Sequence, residues 1–85
     1  MFIANIYITL KEGVFDPQGT IIKHSLETLG FKEVSEVRMG KFVRLRLNHQ
    51  NKEEAKKEVE QICKKVLTNP VIETYRFEII DSLTF

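Results

Sequence analysis

Several groups of residues in this chain have types and spacings that invite chemistry. The first is the glycine-bounded stretch Gly13-Val14-Phe15-Asp16-Pro17-Gln18-Gly19, which resembles a cradle for a phosphate or a metal. It lacks the glycine spacing of a P-loop, and Thr20-Ile21 stands where Lys-Ser or Lys-Thr would be needed. A helix N-terminus attracts anions, but Asp16 would repel one at that place. The same acid suits an N-cap, with Pro17 in the first helical turn. The loop reads as a helix start.

Cys63 is the only cysteine and a possible nucleophile. It falls on an apolar helical stripe between Ile62 and Val66, with no base nearby in the sequence. A thiol in apolar surroundings is not activated, so a core role is expected. His24 and His49 share no ligand spacing with each other or with Cys63, which argues against a structural zinc site. Glu53, Glu54, Glu58 and Glu60 are spread around a solvated helix and form no acid/base pair. Arg38, Arg44 and Arg46 alternate on one side of a β segment. RNA-binding sheets add exposed stacking aromatics to such arginines, whereas here Phe42 stands alone. A protein interface, or solvated charges paired with Glu36 and Glu78, is the better reading.

The elements that position these residues follow from periodicity. Phe2, Ala4, Ile6, Ile8 and Leu10 alternate with Ile3, Asn5, Tyr7, Thr9 and Lys11, which describes a strand with one buried face. A helix is expected from about Pro17 to Leu29, with Ile22, Leu26 and Leu29 as its buried stripe and Gly30 as its stop. Gly19 weakens its first turn unless a small residue is required there. Residues 33–48 are β again, with Val37, Met39, Val43, Leu45 and Leu47 in one parity. Gly40-Lys41 is either a tight hairpin turn dividing two strands or a bend inside one long strand. A second helix spans roughly Lys52 to Leu67, its stripe formed by Ala55, Val59, Ile62, Cys63 and Val66. Asn69-Pro70 closes it. A last strand follows, with Val71, Glu73, Tyr75, Phe77 and Ile79 on one face, and the tail from Asp81 to Phe85 is a short loose end.

The order β-α-β-β-α-β makes the fold class α+β: a ferredoxin-like sandwich, one antiparallel sheet with two helices on one face. The other face, with Ile3, Tyr7, Ile72 and Ile80, is expected to be apolar enough to bind another chain. At 85 residues the chain is a single domain, 1–85, with a thin core that association often supplements. A net charge of +1 supplies no long-range field for nucleic acid or an anionic membrane. One cysteine, no leader pattern and no long apolar run point to a cytoplasmic protein.

Three stretches carry a resemblance. YITLKEGVFDPQG (7–19), EVSEVRMGKFVRLRL (33–47) and NPVIETYRFEII (69–80) together resemble the PurS family, the small subunit of bacterial phosphoribosylformylglycinamidine (FGAM) synthase. The most specific block is Ile8-Thr9-Leu10-Lys11, Val14 and Asp16-Pro17-Gln18-Gly19. The others are Val37-Arg38 with Gly40-Lys41, and Asn69, Val71-Ile72-Glu73 and Tyr75. The resemblance implies an adaptor in de novo purine synthesis that joins the glutaminase PurQ to the synthetase PurL and supports ammonia transfer. ATP and magnesium would belong to PurL, and this chain would hold no cofactor, metal or catalytic residue. It further implies a homodimer or higher homo-oligomer in which the first helix and second strand can be exchanged, with no nucleic-acid or membrane partner. Block membership and polarity nominate Lys11, Asp16, Gln18, Arg38, Lys41 and Arg76 for partner contact. The rival readings are an ACT-like regulatory domain binding a small effector in a dimer groove, and an RNA-binding module.

Overall fold

The computed structural model describes residues 1–81, so the tail expected beyond Asp81 lies outside the described residues. Strand β1 (Phe2–Leu10) is central, flanked by β2 (Gly40–Leu47) and β3 (Glu73–Asp81), both antiparallel to it. Helix α1 (Pro17–Thr28) joins β1 to β2, and helix α2 (Lys52–Ile62), continued by a π-helical turn (Cys63–Leu67), joins β2 to β3. The strand order β2-β1-β3 reproduces three neighbours of the expected antiparallel sheet.

The expected fourth strand is absent among the described residues: 34–39 carries no strand pairing. No hairpin divides the segment either. Gly40 opens β2 directly, paired with Thr9, and its backbone is outside the left-handed region that the tightest hairpin turns demand. Alternating residues specify an extended chain; they do not supply a neighbour for it.

The core lies between the sheet and α2. Ala4, Ile6 and Ile8 of β1 are buried with Ala55, Val59 and Cys63, and Val43, Leu45, Tyr75, Phe77 and Ile79 pack around them. Asn51 caps α2 by accepting the Glu53 N–H (2.8 Å) and the weaker Glu54 N–H (3.4 Å). The π-helical turn alters the predicted stripe. It adds a residue per turn, marked by Thr68 N–H donating to the Cys63 carbonyl at 3.0 Å. Val66 therefore swings outward to 76% exposure, and Leu67 packs on the core in its place.

Helix α1 has the predicted length but not the predicted burial. It closes in a Schellman motif: Phe31 N–H donates to Leu26 O, Gly30 N–H donates to Glu27 O, and Gly30 sits at φ 97°. Yet Gly19 is its only buried residue. Ile21 and Leu29 are 66% and 73% exposed, because among the described residues α1 packs on no other strand or helix to more than a marginal extent. The chain measures 50 × 31 × 15 Å with a radius of gyration of 16.5 Å. A closed domain of this length has a radius near 12 Å. Helix α1 is an arm.

Candidate functional site

The three resemblance blocks converge where β1 ends and β2 and β3 begin. Asp16 is the centre of this cluster. One carboxylate oxygen accepts the Gly19 N–H at 2.9 Å, capping α1, and the other accepts the Met39 N–H at 2.7 Å. The Asp16 carbonyl accepts from Thr20, through the N–H at 3.1 Å and the hydroxyl at 3.0 Å. Gly19 lies so close to the Val37 carbonyl that a β-carbon there would collide with it. The small residue that seemed costly in the sequence is required by this approach.

Arg38 completes the brace. Its guanidinium donates to the carbonyls of Val14 (3.0 Å) and Lys11 (3.1 Å), with Glu36 at 3.9 Å. Between those carbonyls, Val14 N–H donates back to Lys11 O, and Gly13 takes φ 83° in the turn. Lys11 N–H donates to Ile72 O at 2.8 Å, tying the loop to the segment before β3. That segment is folded by Asn69, whose side-chain oxygen accepts Val71 N–H and whose carbonyl accepts from Ile72 and Glu73. Glu73 returns one carboxylate oxygen to the Asn69 N–H at 2.8 Å and meets Lys41 with the other at 3.3 Å. Asn69 and Glu73 were not among the predicted contact residues. Their only sequence signal was joint membership of the third block.

Five of the six nominated residues thus share one end of the sheet, but in different capacities. Asp16 is buried and Arg38 is spent on backbone carbonyls, whereas Lys11, Gln18 and Lys41 are displayed. A shallow depression of about 140 Å³ lies between Gln18, Lys41, Glu73, Asp16 and the ends of Ile8 and Leu10. Arg76 lies apart, on the opposite sheet face, its guanidinium 4.1 Å from the centre of the Tyr7 ring.

That opposite face is more polar than the sequence suggested. Asn5, buried at its centre, donates to Glu78 (3.1 Å) and accepts from Arg44 (3.0 Å), and the Tyr7 hydroxyl donates to the same Glu78 oxygen. Ile3 is buried beside its cross-strand neighbours Arg46 and Ile80. Long side chains cover only part of what alternation marked as apolar surface: Ile3 is buried, but Ile72 and Ile80 stay 38% and 44% exposed.

The remaining candidates behave as packing or surface groups. Cys63 is fully buried, and burial followed by the nearby Glu60 charge raises its thiol above the ordinary value. His49 bonds Glu58 at 2.7 Å, tying the end of β2 to α2. Among the described residues no three His, Cys, Asp or Glu side chains are grouped to hold a metal, and no helix is long and apolar enough to cross a membrane.

The carboxylates at the cluster are held ionised. The Gly19 N–H, then the Met39 N–H and the Arg38 charge, lower the Asp16 pKa below 3.8 against the opposing effect of burial. The Asn69 N–H, then Lys41, lower that of Glu73 below 4.5, again against burial. A group with a depressed folded-state pKa stabilises the fold fully above its ordinary value, and that stability is lost as the pH falls through the folded value. Thermal unfolding followed from pH 7 downward is expected to show a constant Tm until about pH 5, then a progressive fall through pH 4 and below. An Asp16→Asn, Glu73→Gln double variant should show a flatter acid limb.

The fold and cluster define a small α+β domain whose polar constellation braces its own backbone and whose helical arm stands clear. Residues 3–81 match the family described as PurS: Phosphoribosylformylglycinamidine (FGAM) synthase, and the chain belongs to that family. It is 42% identical over 79 residues to the phosphoribosylformylglycinamidine synthase subunit PurS of Methanocaldococcus jannaschii, covering 93% of this chain and 95% of the relative. The crystal structure of PurS from that organism, a subunit of formylglycinamide ribonucleotide amidotransferase in the purine biosynthetic pathway, superposes with a TM-score of 0.85 at 41% identity. That match covers 94% of this chain and 96% of the other. A chain of the PurLQS structure from Thermotoga maritima superposes with a TM-score of 0.84 at 28% identity, covering 94% and 99%.

Proposed function

We propose that this chain is the non-catalytic adaptor of FGAM synthase. It joins PurQ, which releases ammonia from glutamine, to PurL, which uses ATP and magnesium to convert formylglycinamide ribonucleotide to FGAM, and it supports passage of ammonia between them. One observation carries the reading. The residues that look most like chemistry, Asp16, Arg38 and Glu73, are engaged in bracing backbone, beside a helix stripe and a sheet edge that the described residues leave uncovered. The match to a chain of the Thermotoga maritima PurLQS structure supports PurL and PurQ as the partners.

The same uncovered surfaces favour a homodimer. With α1 of each copy laid over its partner's sheet, Ile22, Leu26 and Leu29 gain the cover that the described residues of their own chain withhold. Residues 33–39 then complete the partner's four-stranded, ferredoxin-like sheet along the outer edge of β2. Lys11, Gln18, Lys41 and Arg76 are the side chains left to meet PurL or PurQ, while Asp16 and Arg38 act by holding the loop that displays them.

Reconstitution tests the adaptor role. With PurL and PurQ present, glutamine-dependent FGAM formation is expected to fall to background when this chain is omitted and to return when it is added. FGAM formation from added ammonia is expected to persist without it. Unchanged glutamine-dependent turnover in its absence would overturn the reading.

A further inference from the structure

A helix that the described residues leave largely unsupported is nevertheless held firmly at its root. We propose that Asp16, backed by Arg38, is the lock that keeps the α1 arm open and thereby selects exchange between two copies over closure of the chain on itself. The inference deepens the dimer reading and rests on it.

Two arrangements compete for the same surfaces. In the closed one, a hairpin at Gly40-Lys41 would fold residues 33–39 along the outer edge of their own β2 and draw α1 over their own sheet. In the open one, the chain runs on past Gly40 and the arm reaches another copy. Closure requires residues 37–39 to swing back against β2, with positive φ at the reversal for the tightest turns.

Every one of those three residues is engaged elsewhere. Met39 donates its N–H to Asp16 at 2.7 Å, Arg38 donates to Val14 and Lys11 at 3.0 and 3.1 Å, and the Val37 carbonyl abuts Gly19. Gly40 itself stays out of the left-handed region and is seated so that a β-carbon would lie 2.8 Å from the Ile8 carbonyl. The second oxygen of Asp16 caps α1, so one carboxylate fixes the helix start and the strand approach in a single geometry. While these bonds stand, the chain cannot reverse at Gly40.

Asp16→Ser separates the lock from the cap. Serine is as good an N-cap as aspartate, but its single short oxygen cannot serve both Gly19 and Met39. Arg38→Met is the second variant; it keeps the aliphatic stem and loses both carbonyl bonds. Each protein is unfolded and refolded, so that no arrangement is kinetically trapped, and then studied by sedimentation equilibrium and small-angle scattering.

The wild type is expected to be a dimer. Both variants are expected to raise the dimer dissociation constant about tenfold or more, the equivalent of one charge-assisted hydrogen bond. Their monomers should have a radius of gyration near 12 Å, the size of a closed domain. Folded variants that dimerise as tightly as the wild type would overturn the lock and leave the dimer standing. A wild type that sediments as a compact monomer would overturn both. Should Asp16→Ser fail to fold, Arg38→Met decides.

Discussion

Ile6→Ala is expected to lower the free energy of unfolding by about 3 kcal/mol, within the range for truncating a buried aliphatic side chain. Ile6 sits in the middle of the central strand, fully buried, with Val43 and Phe77 as its cross-strand partners and Val59 in the same cluster. The removed methylene and methyl groups lose their burial, and the cavity left behind cannot collapse. Neighbours on both sides are held in register by the backbone ladders, and α2 is pinned at its start by Asn51. A domain this small has about 4–13 kcal/mol of stability in total, so the variant forfeits a large share of it.

The comparison that gives this number meaning is Ile22→Ala on α1. In the isolated chain Ile22 is 36% exposed, on a helix that packs only marginally on the other described strands and helices. Its truncation should cost well under 1 kcal/mol in an isolated monomer. In an exchanged dimer it should approach the cost at Ile6 and raise the dimer dissociation constant. Urea unfolding of both variants at two protein concentrations reads the difference: the Ile22 effect depends on concentration if the arm is covered by a second copy. Equal small effects at both concentrations would mean that the stripe is never covered.

What the sequence disclosed, and what it withheld, divides along a physical line. Periodicity is local, so β1, β3, both helices and the cap residue Asp16 could be read directly, whereas the Asn51 cap of α2 emerged only from the structure. Parity also assigned Ala4, Ile6 and Ile8 to one buried face. Pairing is not local. Val37 and Met39 continue the parity of Val43, Leu45 and Leu47, yet among the described residues only 40–47 find a strand partner. The stripe of Ile22, Leu26 and Leu29 was legible for the same reason, and its exposure was not. An amphipathic helix announces that it will be covered without saying by which chain.

The cluster shows the same division. Asp16 could be read as a cap because capping acts across a few residues, but its second bond, to Met39, spans 23 residues and leaves no periodic trace. Arg38 shares its parity with the surface arginines Arg44 and Arg46, and only the turn at Gly13 reveals why its guanidinium folds back on two carbonyls. The π-helical turn that displaces Val66 has no signature in residue type at all. Asn69 and Glu73 announced themselves only as letters that travel together in a block; their bond closes a loop of the kind that propensity does not encode.

Gly19→Ala brings the local and the distant requirements into direct opposition. In an ordinary helix the change is stabilising by about 1 kcal/mol, because alanine restricts the unfolded chain and favours helical dihedrals. Nothing in the dihedrals of Gly19 forbids it, since its φ is not positive. The obstacle is the Val37 carbonyl, a backbone group that cannot rotate away as a side chain would. The added methyl also crowds the Asp16 carboxylate, whose nearest oxygen would lie 2.9 Å off. Accommodation requires residues 37–39 to withdraw, which breaks the Met39 bond to Asp16 and releases Arg38 from its carbonyls. The expected net effect is a loss of about 1–3 kcal/mol, the scale of overpacking at a rigid site, in place of the gain that propensity predicts. The helix itself should survive, so far-UV circular dichroism should be unchanged while Tm falls by roughly 4 °C or more. The amide resonances of residues 37–39 should shift with it. An alanine variant as stable as the wild type, with those resonances unmoved, would mean that the contact between Gly19 and Val37 does not set the course of the chain into β2.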